Sequence, residues 1–395
     1  MRLQQLLAFA AGIGLTLGTA ACVCQAPSAN VSRRSNALAL EQQGRASDAE
    51  AAWQAIATAN PADAEAFAHL GLLRARQEHY PQAIQAYRKA LALNPKIPGL
   101  RLNLGLSYFK SGDMHSAVAT LEPLLRATPT GSAEANRIAT LIALAHYGAG
   151  QYSAAVPYLK TAIDADPQNL QFRLYLAQSC LWSKQYPCVL DAYRQILSLN
   201  AESAEADMLA GEAYDEMKDE ANALRQFAAA VQAGPTTPDA HFGYGYLLWR
   251  SLKFDEAEKQ FRSELEINPD HPLALTYLGD VQMRASRFDE ALPVLQHAVR
   301  LQPSIALAHL DLGIIFAGQD RNEDAVRELK EAAKLSPSDP KVHWQLGKLY
   351  QATGHAAEAK VELDKTKALK ESADQSLVRQ LHQDQGAAPA TAPVK

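Results

Sequence analysis

The chain is predicted to fold as an all-α array of helix pairs, and three observations predict it. A pattern of small and large apolar residues returns every 34 residues along most of the 395-residue sequence. Within each period the apolar residues fall in two runs, each at helical spacing. A proline closes the second run in eight of ten periods. A fixed period of about 20–50 residues marks stacked supersecondary units rather than one globular core.

The repeats start at residues 30, 64, 98, 136, 170, 204, 238, 272, 306 and 340, and the array covers 30–373. Apolar residues at positions 4, 7, 8 and 11 define the first helix of each repeat, and those at 20, 24 and 27 the second. Position 8 is always small: Ala37, Gly71, Gly105, Ala143, Ala177, Gly211, Gly245, Gly279, Gly313 and Gly347. Glycine inside a helix costs roughly 0.5–1 kcal/mol relative to alanine, so its choice here needs a reason. The expected reason is that a side chain would push away the second helix where position 20 approaches. Position 20 is Ala in nine repeats and Val189 in the other. Position 24 is always large, from Trp53 and Tyr87 to Leu329 and Leu363, and is expected to fill the space between repeats. Proline at position 32 lacks an N–H and disfavours helix in the residue before it, so it stops the second helix.

The small and large residues at positions 7, 8, 11, 20, 24, 27 and 32 resemble the signature of the tetratricopeptide repeat (TPR) family. The resemblance implies a right-handed superhelical solenoid of about ten helix-turn-helix repeats, with the first helices lining a concave groove. Three departures are informative. Four extra residues fall within 130–135 (TGSAEA) and are expected to lengthen the connection between repeats 3 and 4. Ala201 and Glu371 stand where proline is usual, and Arg33 and Asn36 make repeat 1 polar, as a terminal repeat requires. Residues 374–385 carry Leu377, Val378 and Leu381 and are expected to form a C-terminal capping helix. Residues 386–395 are short, polar and proline-containing, and are expected to be a disordered tail.

Residues 1–21 read as a secretory signal peptide: Arg2, an apolar stretch Leu6–Leu17, and small residues Thr19-Ala20-Ala21. Uncleaved, the segment serves as an N-terminal anchor. Cys22, opening the linker 22–29, resembles the lipidated cysteine of bacterial lipoproteins, although Thr19 stands where leucine is preferred. These features lead to an expectation of export to the periplasm or cell envelope of a bacterium, free or held by an anchor or lipid. Cys180 and Cys188 occupy positions 11 and 19 of repeat 5, near its turn. They form a disulfide in an oxidising compartment, or are two small buried apolar residues; the sequence leaves both open.

Motifs for metal hydrolysis, acyl transfer, phosphate cradling or dinucleotide binding do not occur. The expectation is a chain that is not an enzyme, with no cofactor and no metal. His241, His309 and His343 recur at position 4, but a whole repeat separates neighbours, so packing roles are expected. A net charge of −5 argues against nucleic acid as partner.

The family resemblance assigns positions 2, 5, 9, 12 and 13 of the first helix to the groove. The candidates for contact with a peptide are Leu106, Phe109, Leu144, Tyr147, Gln178, Trp182, Glu212, Asp215, Phe242, Tyr246 and Trp249. Aromatic residues are only 7% of the chain, so their gathering at these positions points to anchoring pockets for an extended or helical segment. Position 9 never carries Asn and position 5 never carries Lys, which argues against the carboxylate clamp of chaperone-binding TPRs. The sequence thus predicts a non-catalytic scaffold or adaptor that binds protein segments outside the cytoplasm. The alternative is a self-associating structural component of an envelope assembly.

Overall fold

Each 34-residue period folds as two helices joined by a tight turn. The computed structural model describes residues 29–199 and 203–386, which form twenty helices and, among the described residues, no strand. The first helices of the repeats are α1 (Ala29–Gln42), α3 (Ala64–Arg76), α5 (Leu100–Lys110), α7 (Ala133–Gly148), α9 (Leu170–Trp182), α11 (Ala204–Glu216), α13 (Ala240–Arg250), α15 (Pro272–Arg284), α17 (Ala306–Gly318) and α19 (Pro340–Ala352). Their partners are α2 (Ala46–Ala59), α4 (Tyr80–Leu93), α6 (Met114–Ala127), α8 (Tyr152–Ala165), α10 (Tyr186–Ser198), α12 (Glu220–Ala233), α14 (Phe254–Ile267), α16 (Phe288–Leu301), α18 (Asn322–Leu335) and α20 (Ala356–Gly386). Among the described residues the helices gather into two compact units, one ending at Ala145 and one beginning at His146.

The turn inside each repeat has one recurrent device. Position 15 lies in the left-handed region in all ten repeats, at φ between +58° and +85°. In each, the N–H of position 16 donates to the carbonyl of position 11 over 2.7–3.0 Å, from Arg45 to Leu40 through His355 to Tyr350. This is the Schellman closure of a helix C-terminus, which favours glycine. Only Gly44, Gly112, Gly150 and Gly354 meet that preference; the exposed Leu252 is the apolar exception.

The reason for glycine at position 8 differs from the expected one. A Cβ at Gly279 would lie 2.5 Å from Leu295 Cγ, and one at Gly71 would lie 2.5 Å from Tyr87 Cδ1. All seven position-8 glycines face the position-24 side chain of their own repeat in this way. The large residue, and not the close approach of position 20, excludes a side chain. Position 24 also reaches onward: a Cβ at Gly243 would meet Phe227 of the preceding repeat at 2.2 Å.

The insertion at 130–135 is absorbed differently from the expectation. α7 starts at Ala133, three residues before the repeat boundary at 136, so most of the extra residues add to the helix rather than loosen the connection. Ser132 accepts the Ala135 N–H at 3.1 Å and caps the extension. Residues 374–385 do not form a separate helix but continue α20, which runs unbroken to Gly386. The expectations for residues 1–28, Cys22 among them, and for Ala201 and 387–395 lie outside the described residues.

Candidate functional site

In the unit 1–145, Phe109 is only 3% exposed and packs with Ala117 and Ala145, with Leu144 against them. Phe109 is therefore a core residue rather than a groove contact, and Leu106 and Leu144 are half-buried. The aromatic candidates of interest belong to the unit 146–395.

There, first helices of successive repeats touch, α9 with α11, α11 with α13, α13 with α15 and α15 with α17. With the end of α7 and the start of α8, they carry two aromatic banks. In the first, Tyr147 lies 4.4 Å from Tyr175 and 6.4 Å from Trp182, ring centre to ring centre, and Tyr152 lies 4.2 Å from Trp182. Trp182 is 48% exposed. Burial, with Tyr175, Tyr152 and Glu205 adding to it, pushes the Tyr147 phenol up to about 12. In the second bank, Phe242 and Tyr246 lie 6.3 Å apart, and Tyr277 meets Tyr246 at 5.3 Å and Trp249 at 4.9 Å, both edge-on. Such edge and offset contacts are favourable for aromatic quadrupoles.

A polar link recurs between position 12 of one repeat and position 9 of the next. The Tyr147 hydroxyl donates to Gln178 Oε1. The Trp249 indole N–H donates to Asp280 Oδ2 over 2.6 Å. Asp280, buried, is also held by Arg284 four residues on, whose guanidinium lies 5.7 Å from the Trp249 ring centre. Arg250 reaches back to Asp215 at 2.7 Å while lying 5.7 Å from Tyr246. A cation held between a carboxylate and a ring face is thus a motif of this wall.

Glu212 occupies the same position 9 in repeat 6 and has neither partner. Leu181 replaces the donor at position 12, and Glu216 replaces the cation at position 13. Glu205, Glu212 and Glu216 stand at i, i+7 and i+11, on one face of α11, and none makes an ion pair among the described residues. Glu212 is open to water, yet the surrounding protein, then Asp239 and Glu216, raise its carboxyl above the usual range.

Position 6 of the first helix also belongs to this wall, and the family positions used on the sequence omit it. It supplies Tyr175, Tyr277 and Asp311. The signal was present, because two aromatics and an acid recur there, but a face defined by five positions passed over it. Asp311 is 1% exposed and its Oδ2 has no hydrogen-bond partner among the described residues. Burial, then Asp280, push its carboxyl well above the usual range, against the pull of Arg284 and Lys341.

Asp239, Glu264 and His271 bring ligand-type atoms within 4.8 Å of one another. Their atoms are already used. α13 starts two residues later than most first helices, and buried Glu264 accepts the N–H groups of Asp239 (3.0 Å) and Phe242 (3.1 Å) in place of the missing turn. His271 Nδ1 accepts the Ala274 N–H as the cap of α15, so Nε2 carries the proton and donates to Asp239 over 2.9 Å. A metal on Nε2 would require an imidazolate, so the triad fits helix capping and not a cation.

The recurring histidines are joints. His241, His309 and His343 each pair Nδ1 with Gln260, Glu328 or Glu362 at 2.6–2.7 Å, and Nε2 with the carbonyl of Pro235, Pro303 or Pro337 at 2.9–3.1 Å. Each ties both helices of a repeat to the preceding loop. Cys180 and Cys188 are joined as a disulfide with Cα atoms 5.8 Å apart. An open cleft of about 280 Å³ beside Cys188 and another of about 580 Å³ beside His241 lie away from the aromatic banks. No helix among the described residues is long and apolar enough to cross a membrane.

Comparisons with known proteins place the repeats. Residues 219–272 and 276–340 match one family model described as tetratricopeptide repeat, and 146–187 and 316–383 match a second with the same description. Together these span more than half of the chain. Residues 34–156 match the middle TPR-like domain of cilia and flagella-associated protein 70. The peroxisomal targeting signal receptor of Yarrowia lipolytica is 36% identical over 83 residues, 21% of this chain and 14% of the receptor. The chain therefore spans about one seventh of that relative. Among solved structures, a tetratricopeptide repeat protein from Parabacteroides merdae is 18% identical, with 64% of this chain and 97% of that one covered and a TM-score of 0.46. YrrB, described as a TPR protein with an unusual peptide-binding site, is 20% identical over 48% of this chain and 97% of its own, at 0.39.

Proposed function

The chain belongs to the tetratricopeptide-repeat proteins, and we propose that it is a non-catalytic scaffold whose first helices in residues 146–395 bind segments of partner proteins. One observation carries this reading: two aromatic banks built mainly from successive first helices, with Trp182 48% exposed. An open aromatic wall on a rigid array suits an extended or helical peptide. The net charge of −5 argues against nucleic acid as the main partner. The name of the Yarrowia lipolytica relative describes a receptor for a targeting signal, in keeping with this class of function.

Export belongs to the same proposal. It is supported by the signal-like residues 1–21 and by the Cys180–Cys188 pair, since disulfides persist in oxidising compartments. Membrane contact then runs through the N-terminal segment or a lipid on Cys22.

Selection of peptides from a random library on the full chain, with each winner retested on a Trp182→Ala/Tyr246→Ala variant of unchanged helical content, tests the binding face. Peptides whose affinity falls at least tenfold on the variant support it. Winners that bind both proteins equally, or no winners, place the function elsewhere.

A further inference from the structure

Position 4 of the first helices allows one repeat to be compared with the others. Five polar residues there are buried: Arg173, Asp207, His241, His309 and His343. Four are satisfied within the array. Asp207 accepts the Tyr193 hydroxyl at 2.8 Å. His241, His309 and His343 meet Gln260, Glu328 and Glu362, each at position 23 of its own repeat, at 2.6–2.7 Å. Arg173 is the exception. It is 7% exposed, and its guanidinium donates only to the Asn169 carbonyl, over 3.3 Å. Its buried Nε has no partner, and no carboxylate pairs with it among the described residues. Position 23 of this repeat is Ala192, which has nothing to offer. A guanidinium carries five N–H donors, and a buried cation without a counter-charge costs stability.

The cleft of about 280 Å³ borders the same place. It lies between the second helices α8 and α10, lined by Ala192 and by Leu176, one turn on from Arg173. Lys160 and Asp164 stand on its α8 side and Asp191 on its α10 side. Asp191 is held by Arg194, whereas the exposed Lys160 makes no ion pair among the described residues. We propose that this cleft binds a carboxylate group, which pairs with Arg173 as Glu328 and Glu362 pair with the position-4 histidines of repeats 9 and 10, and with Lys160 at the rim. The site is separate from the binding face proposed above, which is built mainly from first helices. A guanidinium can hold a carboxylate through two parallel N–H bonds. Asp164 at the rim opposes a second negative charge, so a carboxylate fits better than a phosphate. The cleft is just below the usual size of ligand pockets, about 300–1,000 Å³, and takes an acid of a few carbons or one acidic side chain.

Isothermal titration calorimetry on the full chain at pH 7 tests this with butyrate, with a blocked glycine peptide bearing one central Glu, and with inorganic phosphate. The same peptide with Gln is the reference. Butyrate or the Glu peptide should bind and the Gln peptide should not, and the tighter of the two names the source as a free acid or a partner's side chain. Arg173→Met keeps the length of the side chain and removes the cation. It should weaken binding at least tenfold and leave melting unchanged or raised, because an unpaired buried charge is lost. Lys160→Met should weaken binding severalfold, and Asp164→Asn should leave it unchanged or tighten it. The double variant Arg173→His/Ala192→Glu rebuilds the joint of repeats 9 and 10, so it should fold and bind neither carboxylate. Equal binding by wild type and Arg173→Met would overturn the site. So would phosphate held more tightly than either carboxylate, or no binding of any probe at millimolar concentration. Peptides selected on the aromatic wall should bind Arg173→Met as they bind wild type, so the failure of one site leaves the other standing.

Discussion

Replacing Gly279 separates packing from helix propensity, because the two act in opposite directions. Propensity alone favours alanine over glycine in a helix by about 0.8–1.0 kcal/mol. Packing opposes it. A Cβ at 279 would lie 2.5 Å from Leu295 Cγ, 2.6 Å from Cδ2 and 3.2 Å from Cδ1. Carbon atoms prefer about 3.5–4.0 Å, so Leu295 would have to retreat by roughly 1 Å. It has little room, being fully buried in the cluster that includes Ala291, Ala298, Leu312 and Ile315. Overpacking of this kind costs about 1–3 kcal/mol. Gly279→Ala should therefore destabilise by about 0–2 kcal/mol net, taking the two opposing terms together. Three repeats carry Ala at this position, Ala37, Ala143 and Ala177, so a methyl is tolerable where residue 24 is placed for it. Gly279→Leu adds three more carbons and should exceed 3 kcal/mol, the upper end of ordinary overpacking (about 1–3 kcal/mol). Leu295→Ala alone should cost about 2–5 kcal/mol. The double variant Gly279→Ala/Leu295→Ala should cost less than the sum by at least about 1 kcal/mol, because the new methyl enters vacated space. Urea denaturation gives the totals, and hydrogen exchange of α15 and α16 gives the local effect, which matters because arrays need not unfold in two states. An increase in stability for Gly279→Ala, or an additive cycle, would refute the assignment of position 8 to the side chain at position 24.

Three other outcomes are expected. Leu252→Gly should raise stability by about 1 kcal/mol in thermal melts, since a left-handed leucine costs roughly 1–2 kcal/mol and the exposed side chain contributes little packing. Glu264→Leu should lower stability by about 1–3 kcal/mol, because two half-buried N–H groups at the start of α13 lose their acceptor; a neutral result would refute the assignment of Glu264 as the cap of α13. Asp311 has a folded-state pKa above its unfolded value, so it contributes most below the unfolded value and destabilises increasingly as pH rises through the window between the two. Asp311→Asn should thus raise the unfolding midpoint at pH 7, with the gain shrinking towards pH 4; a pH-independent difference would contradict a buried, strained carboxyl.

The positions readable from the sequence were those that packing constrains identically in every repeat. Positions 8, 20, 24 and 32 gave the helix pairs because each repeat must solve the same steric problem. The Schellman turn at position 15 was not readable, since six of ten residues there are not glycine and the closure is made by backbone groups that carry no sequence signature. The aromatic wall was legible in part. Tyr147, Trp182, Tyr246 and Trp249 stood out as aromatic residues at expected positions, whereas Phe109 met the same rule and lies in the core. Position along a helix gives direction, but depth depends on what the neighbouring repeat places in front, as Ala117 and Ala145 do for Phe109. Trp249 illustrates the same limit. Its indole is committed to Asp280, so a carboxylate there would face buried acids and disturb the wall as well as any contact.

Residue identity at position 9 shows where packing stops dictating. The same site holds Leu38, Leu72, Leu106, Leu144, Gln178, Glu212, Tyr246, Asp280, Ile314 and Lys348. A place that accepts leucine four times does not require an acid. Asp280 is accompanied by an indole donor and a guanidinium that offset its burial. Glu212 is accompanied by Glu216 and Asp239, an arrangement that costs stability in the free chain. A neutral residue at 212, whose side chain is open to water, would relieve that cost with no loss of helix or core, whereas Glu216 also accepts the Tyr186 hydroxyl at 3.3 Å. Local rules broken without structural return are characteristic of functional positions. Glu212→Gln should therefore raise the unfolding midpoint at pH 7, where the wild-type carboxylate is charged beside Asp239 and Glu216, and an unchanged or lowered midpoint would refute the reasoning.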